Sequence, residues 1–358
     1  MSKLEVGLGE RSYPITIEQG CLNRIGTDLS SAYPASRYCI IADDNVAELY
    51  GMRLQQEIEL AGMACDLLDF PHGEAHKNIA TVASLLSRTA QKRLDRKSLI
   101  IALGGGVSGD IAGFVAATYM RGIPFVQIPT SLLAQVDSSV GGKTGVDIPE
   151  GKNLVGSFYQ PEAVYIDSDV LNTLPGKEYI NGMAEVIKHG IIRDADYFQM
   201  LDQKFDQVMA LDPGVLAELI HVSCKIKSAV VAEDEKESNT RRILNFGHTI
   251  GHAVEAASDF QILHGFAVAI GMVACARISV LKGILGNDKL AAIISMIKRY
   301  GLPTEVPEDL DRNRIKSYLL TDKKRINTKT SYILAVDIGE VIITEEVSDE
   351  EIDAVIGI

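Results

Sequence analysis

The sequence predicts an α/β N-terminal domain built on a Rossmann-like parallel sheet, followed by a mostly α-helical C-terminal domain. Three observations carry that prediction. Between residues 37 and 93, short apolar runs of strand length alternate with stretches of helical periodicity, the pattern of a parallel sheet with crossover helices. At residues 99–119 an apolar run breaks into Gly104-Gly105-Gly106 and resumes as a helix, an order that lets the backbone approach a phosphate. Beyond Thr173-Leu174-Pro175-Gly176 the periodicity is helical for most of the remaining chain, so the expected bodies are 1–175 and 176–358.

Taken in order, residues 4–18 alternate apolar and polar side chains around Gly9 and Pro14, which predicts an edge hairpin. Residues 37–42 form the first buried strand and stop at Asp43-Asp44-Asn45, where a ribose hydroxyl would find an acceptor. A helix over 47–60 and a strand over 65–70 follow, and that strand runs into Gly73-Glu74 and Lys77. The helix over 79–93 leads to the strand at 99–103, and the helical pattern after the glycines covers 111–119. Further strands are expected at 125–129, ending in Thr130-Ser131, and at 164–166. Each acid taken singly is as well explained by a helix cap or a solvated loop. Their common placement at strand carboxyl ends is what favours a dinucleotide. Gly104, Gly106 and Gly109 fit G-x-G-x-x-G, but the acid expected about 20 residues downstream on the next strand is absent.

In the second half, helices are expected over 177–192, 197–211, 215–232, 247–257, 265–282 and 289–300. The chain closes with the strand-like runs SYILAV and EVIITE and a short helix. Residues 266–281 are the most apolar late stretch, but Arg277 interrupts them, so a buried helix is expected rather than a membrane span.

A chain of 358 residues that is 46% hydrophobic can bury two substantial cores. The N-terminus MSKLEVGLGE lacks the apolar centre of a signal peptide. Five scattered cysteines (Cys21, Cys39, Cys65, Cys224, Cys275) without C-x-x-C spacing fit reduced thiols, and a cytoplasmic location is expected. The net charge of -13 argues against nucleic acid or an anionic membrane as partner. Basic groups that bind an anion must therefore be gathered locally.

Such a gathering is visible. Asp137-Ser138-Ser139 leads into Gly141-Gly142-Lys143-Thr144-Gly145, and Gly151-Lys152-Asn153 follows. Two glycine-rich turns bearing ammonium groups, just after a phosphate turn, suit an anionic substrate held beside a dinucleotide. Of seven histidines, three fall within residues 246–264. His248 and His252 are four apart on one helical face, and spacing alone makes them a chelating pair for one metal. Glu185 and Lys188 are three apart, so that carboxylate has a cation as neighbour.

The runs GGGVSGDIAGFVAATYMRGI and PTSLLAQVDSSVGGKTGVD are accompanied by GEAHK (73–77), GMAEVIKHG (182–190), LNFGHTIGHAVE (244–255), LHGFAVAIGM (263–272) and DKK (322–324). In these motifs, spread over nearly the whole chain, the sequence resembles the 3-dehydroquinate synthases, sugar phosphate cyclases of the shikimate pathway. The resemblance implies NAD and one divalent metal ion, zinc or cobalt, as cofactors, an anionic sugar phosphate as substrate, and a homodimer. It puts the metal on Glu185, His248 and His264 and leaves His252 to the substrate. It assigns NAD contacts to Asp43, Asn45, Glu74, Lys77, Gly105, Gly106, Val107, Asp110, Thr130, Ser131, Asp137, Lys143, Lys152 and Thr173. The matching substrate positions are Asp137, Lys143, Lys152, Asn153, Lys188, Lys227, Arg241, Asn245, His252 and one of Lys323 and Lys324, with Arg121 donated across the dimer interface. Asp137, Lys143, Lys188 and His252 form the implied catalytic set.

The implied reaction converts 3-deoxy-D-arabino-heptulosonate 7-phosphate into 3-dehydroquinate and phosphate. Transient oxidation of a ring hydroxyl acidifies the adjacent C–H, phosphate is eliminated, the hydride returns, the ring opens, and an aldol step closes the carbocycle. Other sugar phosphate cyclases and a metal-dependent NAD alcohol dehydrogenase are the alternatives. Three positions depart from the family pattern: Phe266 stands where Glu is usual, Ser131 where Thr is common, and Asp147 where Asn is usual.

Overall fold

The computed structural model describes residues 1–325 and 330–357, with side chains described over 1–319 and 330–357. The chain folds as two compact units, Met1–Leu174 with Leu211–Lys236, and Pro175–Ala210 with Glu237–Ile358.

In the first unit β1 (Ser2–Val6) and β2 (Tyr13–Ile17) pair antiparallel, as the alternation at 4–18 requires. They are followed by α1 (Ile25–Ala32), β3 (Tyr38–Asp43), α2 (Asp44–Val46), α3 (Met52–Leu60), β4 (Cys65–Phe70), α4 (Ile79–Gln91), β5 (Leu99–Gly104) and α5 (Gly106–Thr118). Then come β6 (Phe125–Pro129), β7 (Lys143–Ile148), β8 (Gly151–Phe158) and β9 (Ala163–Ile166). Seven strands form one sheet in the order β1-β2-β9-β6-β5-β3-β4, parallel everywhere beyond the first pair. Every residue of β5 and β6 is buried, because helices cover both faces; this is why these strands read as unbroken apolar runs. Successive residues divide between two cores. Ile40, Ile101 and Val126 pack toward α1 and α3, whereas Ile41, Ile100 and Phe125 pack toward α4 and α5. Parallel strands gather their carboxyl ends on one edge, which brings Asp43, Gly104 and Thr130 together.

Two features of this unit were not expected. The glycine turns at 141–145 and 151–153 belong to an antiparallel hairpin of β7 and β8. Its glycines interrupt the apolar alternation that would have marked it. A Cβ on Gly156 would meet the Thr144 carbonyl oxygen at 2.1 Å, so the two backbones need that gap. The second concerns the expected body 176–358. The chain passes through α6 (Gly176–Arg193), α7 (Ala195–Gln203) and α8 (Phe205–Met209), but α9 (Pro213–Glu233) returns to the first unit and packs on β1, β2 and the 134–138 turn. Leu216, Leu219, Ile220, Val230 and Val231 are buried there. Helical periodicity announces such a face without saying which surface it meets.

The second unit continues with α10 (His248–Ala257), α11 (His264–Leu281), α12 (Asn287–Arg299), α13 (Arg312–Arg325), β10 (Tyr332–Asp337), β11 (Glu340–Thr344) and α14 (Asp349–Ile356). The expected helix over 197–211 is divided into α7 and α8, and α13 was not foreseen. Among the described residues, α11 is the one helix long and apolar enough to cross a membrane, yet 72% of that stretch is buried within the protein. It is the core helix of this unit, with α6, α10, α12, α14 and β10 packed on it. A Cβ on Gly271 would lie 1.9 Å from the Gly247 carbonyl oxygen, so α11 and the start of α10 touch backbone to backbone.

Candidate functional site

In the first unit the phosphate turn opens at Gly104. Gly105 is the N-cap of α5 and no side chain caps that helix, so its first N–H groups remain available to an anion. The Thr130 N–H donates to the Gly104 carbonyl at 2.9 Å and fixes β6 beside the turn. Asp43 does what a cap does: its Oδ1 accepts from the Val46 N–H at 3.1 Å. Its Oδ2 accepts from Ser108 Oγ at 2.9 Å, which ties β3 to the first turn of α5. Asn45 is exposed on α2, Ser131 Oγ accepts from the Ala134 N–H at 3.2 Å, and the Thr173 hydroxyl shares a 2.5 Å hydrogen bond with Tyr50.

Lys77 is 5% exposed and paired with Asp110 at 2.7 Å, while it also donates to Asn153 Oδ1 at 2.5 Å. Burial works against its charge, but Asp110 and Glu74 outweigh that and raise its pKa; burial likewise raises the Asp110 carboxyl, against the pull of Lys77. Lys152 lies 3.4 Å from Glu74. Lys227, buried on α9, donates to Asp137 Oδ1 at 2.6 Å and to its carbonyl. Lys143 is exposed at the head of β7. Arg121, with Met120, occupies a left-handed turn (φ 69° and 49°) on the surface. Of the implied NAD residues, Asp43, Gly105 and Thr130 thus meet at the carboxyl edge of the sheet, and Lys77 joins Asp110 to the hairpin, where Lys152 reaches Glu74.

In the second unit, Glu185 on α6 is fully buried. Its Oε1 lies 3.7 Å from Nε2 of His248 and 3.7 Å from Nε2 of His264, the first residues of α10 and α11. Two ligands of one tetrahedral zinc-type ion stand about 3.4 Å apart, given metal–ligand bonds near 2.1 Å. Among the described residues Glu185 Oε1 accepts no hydrogen bond, which leaves a buried acceptor turned to the two imidazoles. These residues fit a divalent cation. His252 is nearby: its ring centroid is 5.2 Å from that of His248 and 5.7 Å from that of His264, and one donor atom from each of the three rings lies within 4.8 Å of the others. The structure therefore brings together both the spacing-based pair and the set drawn from the resemblance.

The charges and burial of this cluster act differently on each of its members. Burial opposes the Glu185 carboxylate, but Lys188, in tight contact with Oε2, and the two histidines hold it well below the usual carboxylate range. Burial and Lys188 push His248 well below the usual imidazole value, which leaves it neutral and able to ligate. Burial also opposes the His264 imidazolium, yet Glu185 and Glu255 outweigh it and raise that pKa to about 9. Arg241 is 1% exposed, and Asn245 donates to Glu237 Oε1 at 2.6 Å. Lys323 and Lys324 lie outside the described side chains.

Two residues escaped the sequence reading, and a third was noted there only as a departure from the family pattern. Glu255 Oε2 stands 3.4 Å from His264 Nδ1, on the opposite side of the ring from Glu185. Its signal was present: an acid three residues after His252 and seven after His248 lies on the same helix face as both imidazoles. Asn181 Oδ1 accepts from the Gly265 N–H at 2.7 Å and so anchors the start of α11 that carries His264; nothing in the sequence marked it. Asp147 is the third, and it accepts a hydrogen bond from the backbone of Asn153. At the departure Phe266, the Lys177 ammonium lies 5.9 Å from the ring centroid, a cation–π contact.

The chain matches two family models in succession, 3-dehydroquinate synthase N-terminal over residues 67–181 and 3-dehydroquinate synthase C-terminal over residues 182–325. It is 46% identical over 347 residues to the 3-dehydroquinate synthase of Symbiobacterium thermophilum, covering 96% of this chain and 97% of that protein. Among solved structures it resembles 2-deoxy-scyllo-inosose synthase complexed with carbaglucose-6-phosphate, NAD+ and Co2+ (TM-score 0.90, 27% identity, 99% of each chain). It also resembles 2-epi-5-epi-valiolone synthase from Streptomyces hygroscopicus with NAD+ and Zn2+ bound (TM-score 0.89, 26% identity, 98% and 97% of the two chains).

Proposed function

Because the chain belongs to the 3-dehydroquinate synthase family, we propose that it converts 3-deoxy-D-arabino-heptulosonate 7-phosphate into 3-dehydroquinate and phosphate, as an NAD- and divalent-metal-dependent carbon–oxygen lyase. The observation that carries this reading is the convergence of His248 and His264 on the buried, unfilled acceptor Oε1 of Glu185. In this reading Glu185, His248 and His264 hold the metal, and the glycine turn, Asp43, Glu74, Lys77, Asp110 and Thr130 hold the dinucleotide. Bound NAD supplies a hydride acceptor restored within each turnover, and the ion supplies a Lewis acid for the reacting hydroxyl.

The protein's own groups do the positioning. Lys188 is a buried cation fixed beside Glu185, suited to a substrate carboxylate or phosphate. Lys227 is held by Asp137, and the hairpin presents the Lys152 ammonium beside the neutral Asn153 amide. Ordering an anion among several such groups can supply about 7 to 11 kcal/mol of a barrier in the best cases. Arg121 is assigned to the partner's phosphate site in a cytoplasmic homodimer.

Purified protein loaded with NAD and Zn2+ or Co2+ is expected to release phosphate from the heptulosonate phosphate without accumulating NADH. Stoichiometric NADH would identify an alcohol dehydrogenase instead, and faster phosphate release from sedoheptulose 7-phosphate would identify a different cyclase. Glu255 is expected to orient His264 from behind. Glu255→Gln should weaken metal affinity by about 10- to 100-fold, measured by competition with a chelator. Unchanged affinity would remove Glu255 from the site.

A further inference from the structure

The β7–β8 hairpin carries Lys152 and Asn153, and Asn153 sits in the left-handed region at φ +54°. Asparagine tolerates that conformation better than most residues, and its fixed partners are what select it. Here the surroundings are specific. The Asn153 N–H donates to Asp147 Oδ1 at 2.7 Å, and Asn153 Oδ1 accepts from the Lys77 ammonium at 2.5 Å. The Asp147 N–H donates in turn to the Lys77 carbonyl at 2.8 Å, so Asp147 is pinned to the segment that carries that lysine. The hairpin register shifts between Val146 and Ile148, and Asp147 occupies the irregularity. A bulge of this kind re-aims a side chain, and this one places a carboxylate under the turn.

An asparagine at 147 could accept the same hydrogen bond. The aspartate adds charge, close to Lys77, Glu74 and Lys152, and a charge-assisted bond to that amide. With Asn153 Oδ1 occupied by Lys77, its side-chain N–H groups are the ones left to face a ligand.

We propose that Asp147 is a positioning residue whose carboxylate locks Asn153 in its left-handed conformation and so sets where Lys152 and Asn153 meet an anionic substrate. This rests on the reading of Lys152 and Asn153 as substrate contacts. The test compares Asp147→Ala and Asp147→Asn in the enzyme loaded with NAD and metal. A lost charge-assisted hydrogen bond corresponds to about tenfold or more, so Asp147→Ala should raise KM for the heptulosonate phosphate by that factor while kcat changes less than about threefold. Asp147→Asn, which keeps an acceptor, should recover most of that loss. Amide hydrogen exchange over residues 149–155 gives a reading independent of any substrate, and it should accelerate by about tenfold in the alanine variant and less in the asparagine variant. Wild-type exchange in Asp147→Ala overturns the proposal. Faster exchange with an unchanged KM overturns the link from the lock to the substrate. Wild-type protein that is inactive on this substrate overturns the functional reading alone, and the exchange comparison still judges the lock. Should the alanine variant fail to fold, Asp147→Val, which keeps side-chain bulk in the strand but offers no acceptor, takes its place: faster exchange over residues 149–155 supports the lock, and wild-type exchange overturns it.

Discussion

His248→Ala is expected to lose bound metal and turnover together, with kcat/KM lower by about ten thousandfold, or about 5.5 kcal/mol of transition-state stabilisation. The reason lies in how few groups are available. Glu185 is fully buried, and the donors facing its Oε1 are the two imidazoles. Removing one leaves Glu185 and a single histidine of that set, with His252 the imidazole beside them, and two ligands are too few to retain a zinc-type ion against water. Metal content by elemental analysis and phosphate release are the two measurements, and wild-type values for both would refute the assignment. His252→Ala separates the competing ligand sets. If Glu185, His248 and His264 form the site, this variant keeps its metal and loses substrate affinity. If the pair four residues apart chelates the ion, it loses metal as His248→Ala does.

Residue spacing made part of this site legible. The glycine turn could be read because the physics is local: an apolar strand, missing side chains and a helix start are adjacent in sequence. The His248 and His252 pairing was equally local. Glu185 was different, because only tertiary packing brings α6 against the first turns of α10 and α11; the resemblance supplied it where periodicity could not. The same limit explains α9. Its apolar face at Leu216, Leu219 and Ile220 was evident, but the strands β1 and β2 that it covers lie about 200 residues earlier in the chain, beyond the reach of local pattern reading. The β7–β8 hairpin was hidden for the opposite reason: Gly145 and Gly156 satisfy a close backbone approach, and in doing so erase the alternation that marks strands.

Gly104→Ala is expected to damage both the first unit and the dinucleotide site proposed for it. The residue has φ +146°, a region that side chains other than glycine rarely adopt. Its added Cβ would stand 2.4 Å from Ser108 Oγ, 2.5 Å from Ser108 Cβ and 3.3 Å from Asp43 Oδ2. Ser108 is 1% exposed and hydrogen-bonded to Asp43, so it has no space to retreat into. Backbone strain and overpacking together should cost about 3 kcal/mol or more, read as a lower urea midpoint at unchanged slope. NAD affinity should fall by about a hundredfold, because relieving the clash moves the first turn of α5, whose N–H groups are proposed to receive the pyrophosphate. Gly105→Ala is the control: its Cβ would meet Ser131 Oγ at an ordinary 3.5 Å, so stability should stay close to wild type. Equal stability and equal NAD affinity in Gly104→Ala would mean that this glycine is not what shapes the turn, and the phosphate site would have to be sought elsewhere on the sheet edge.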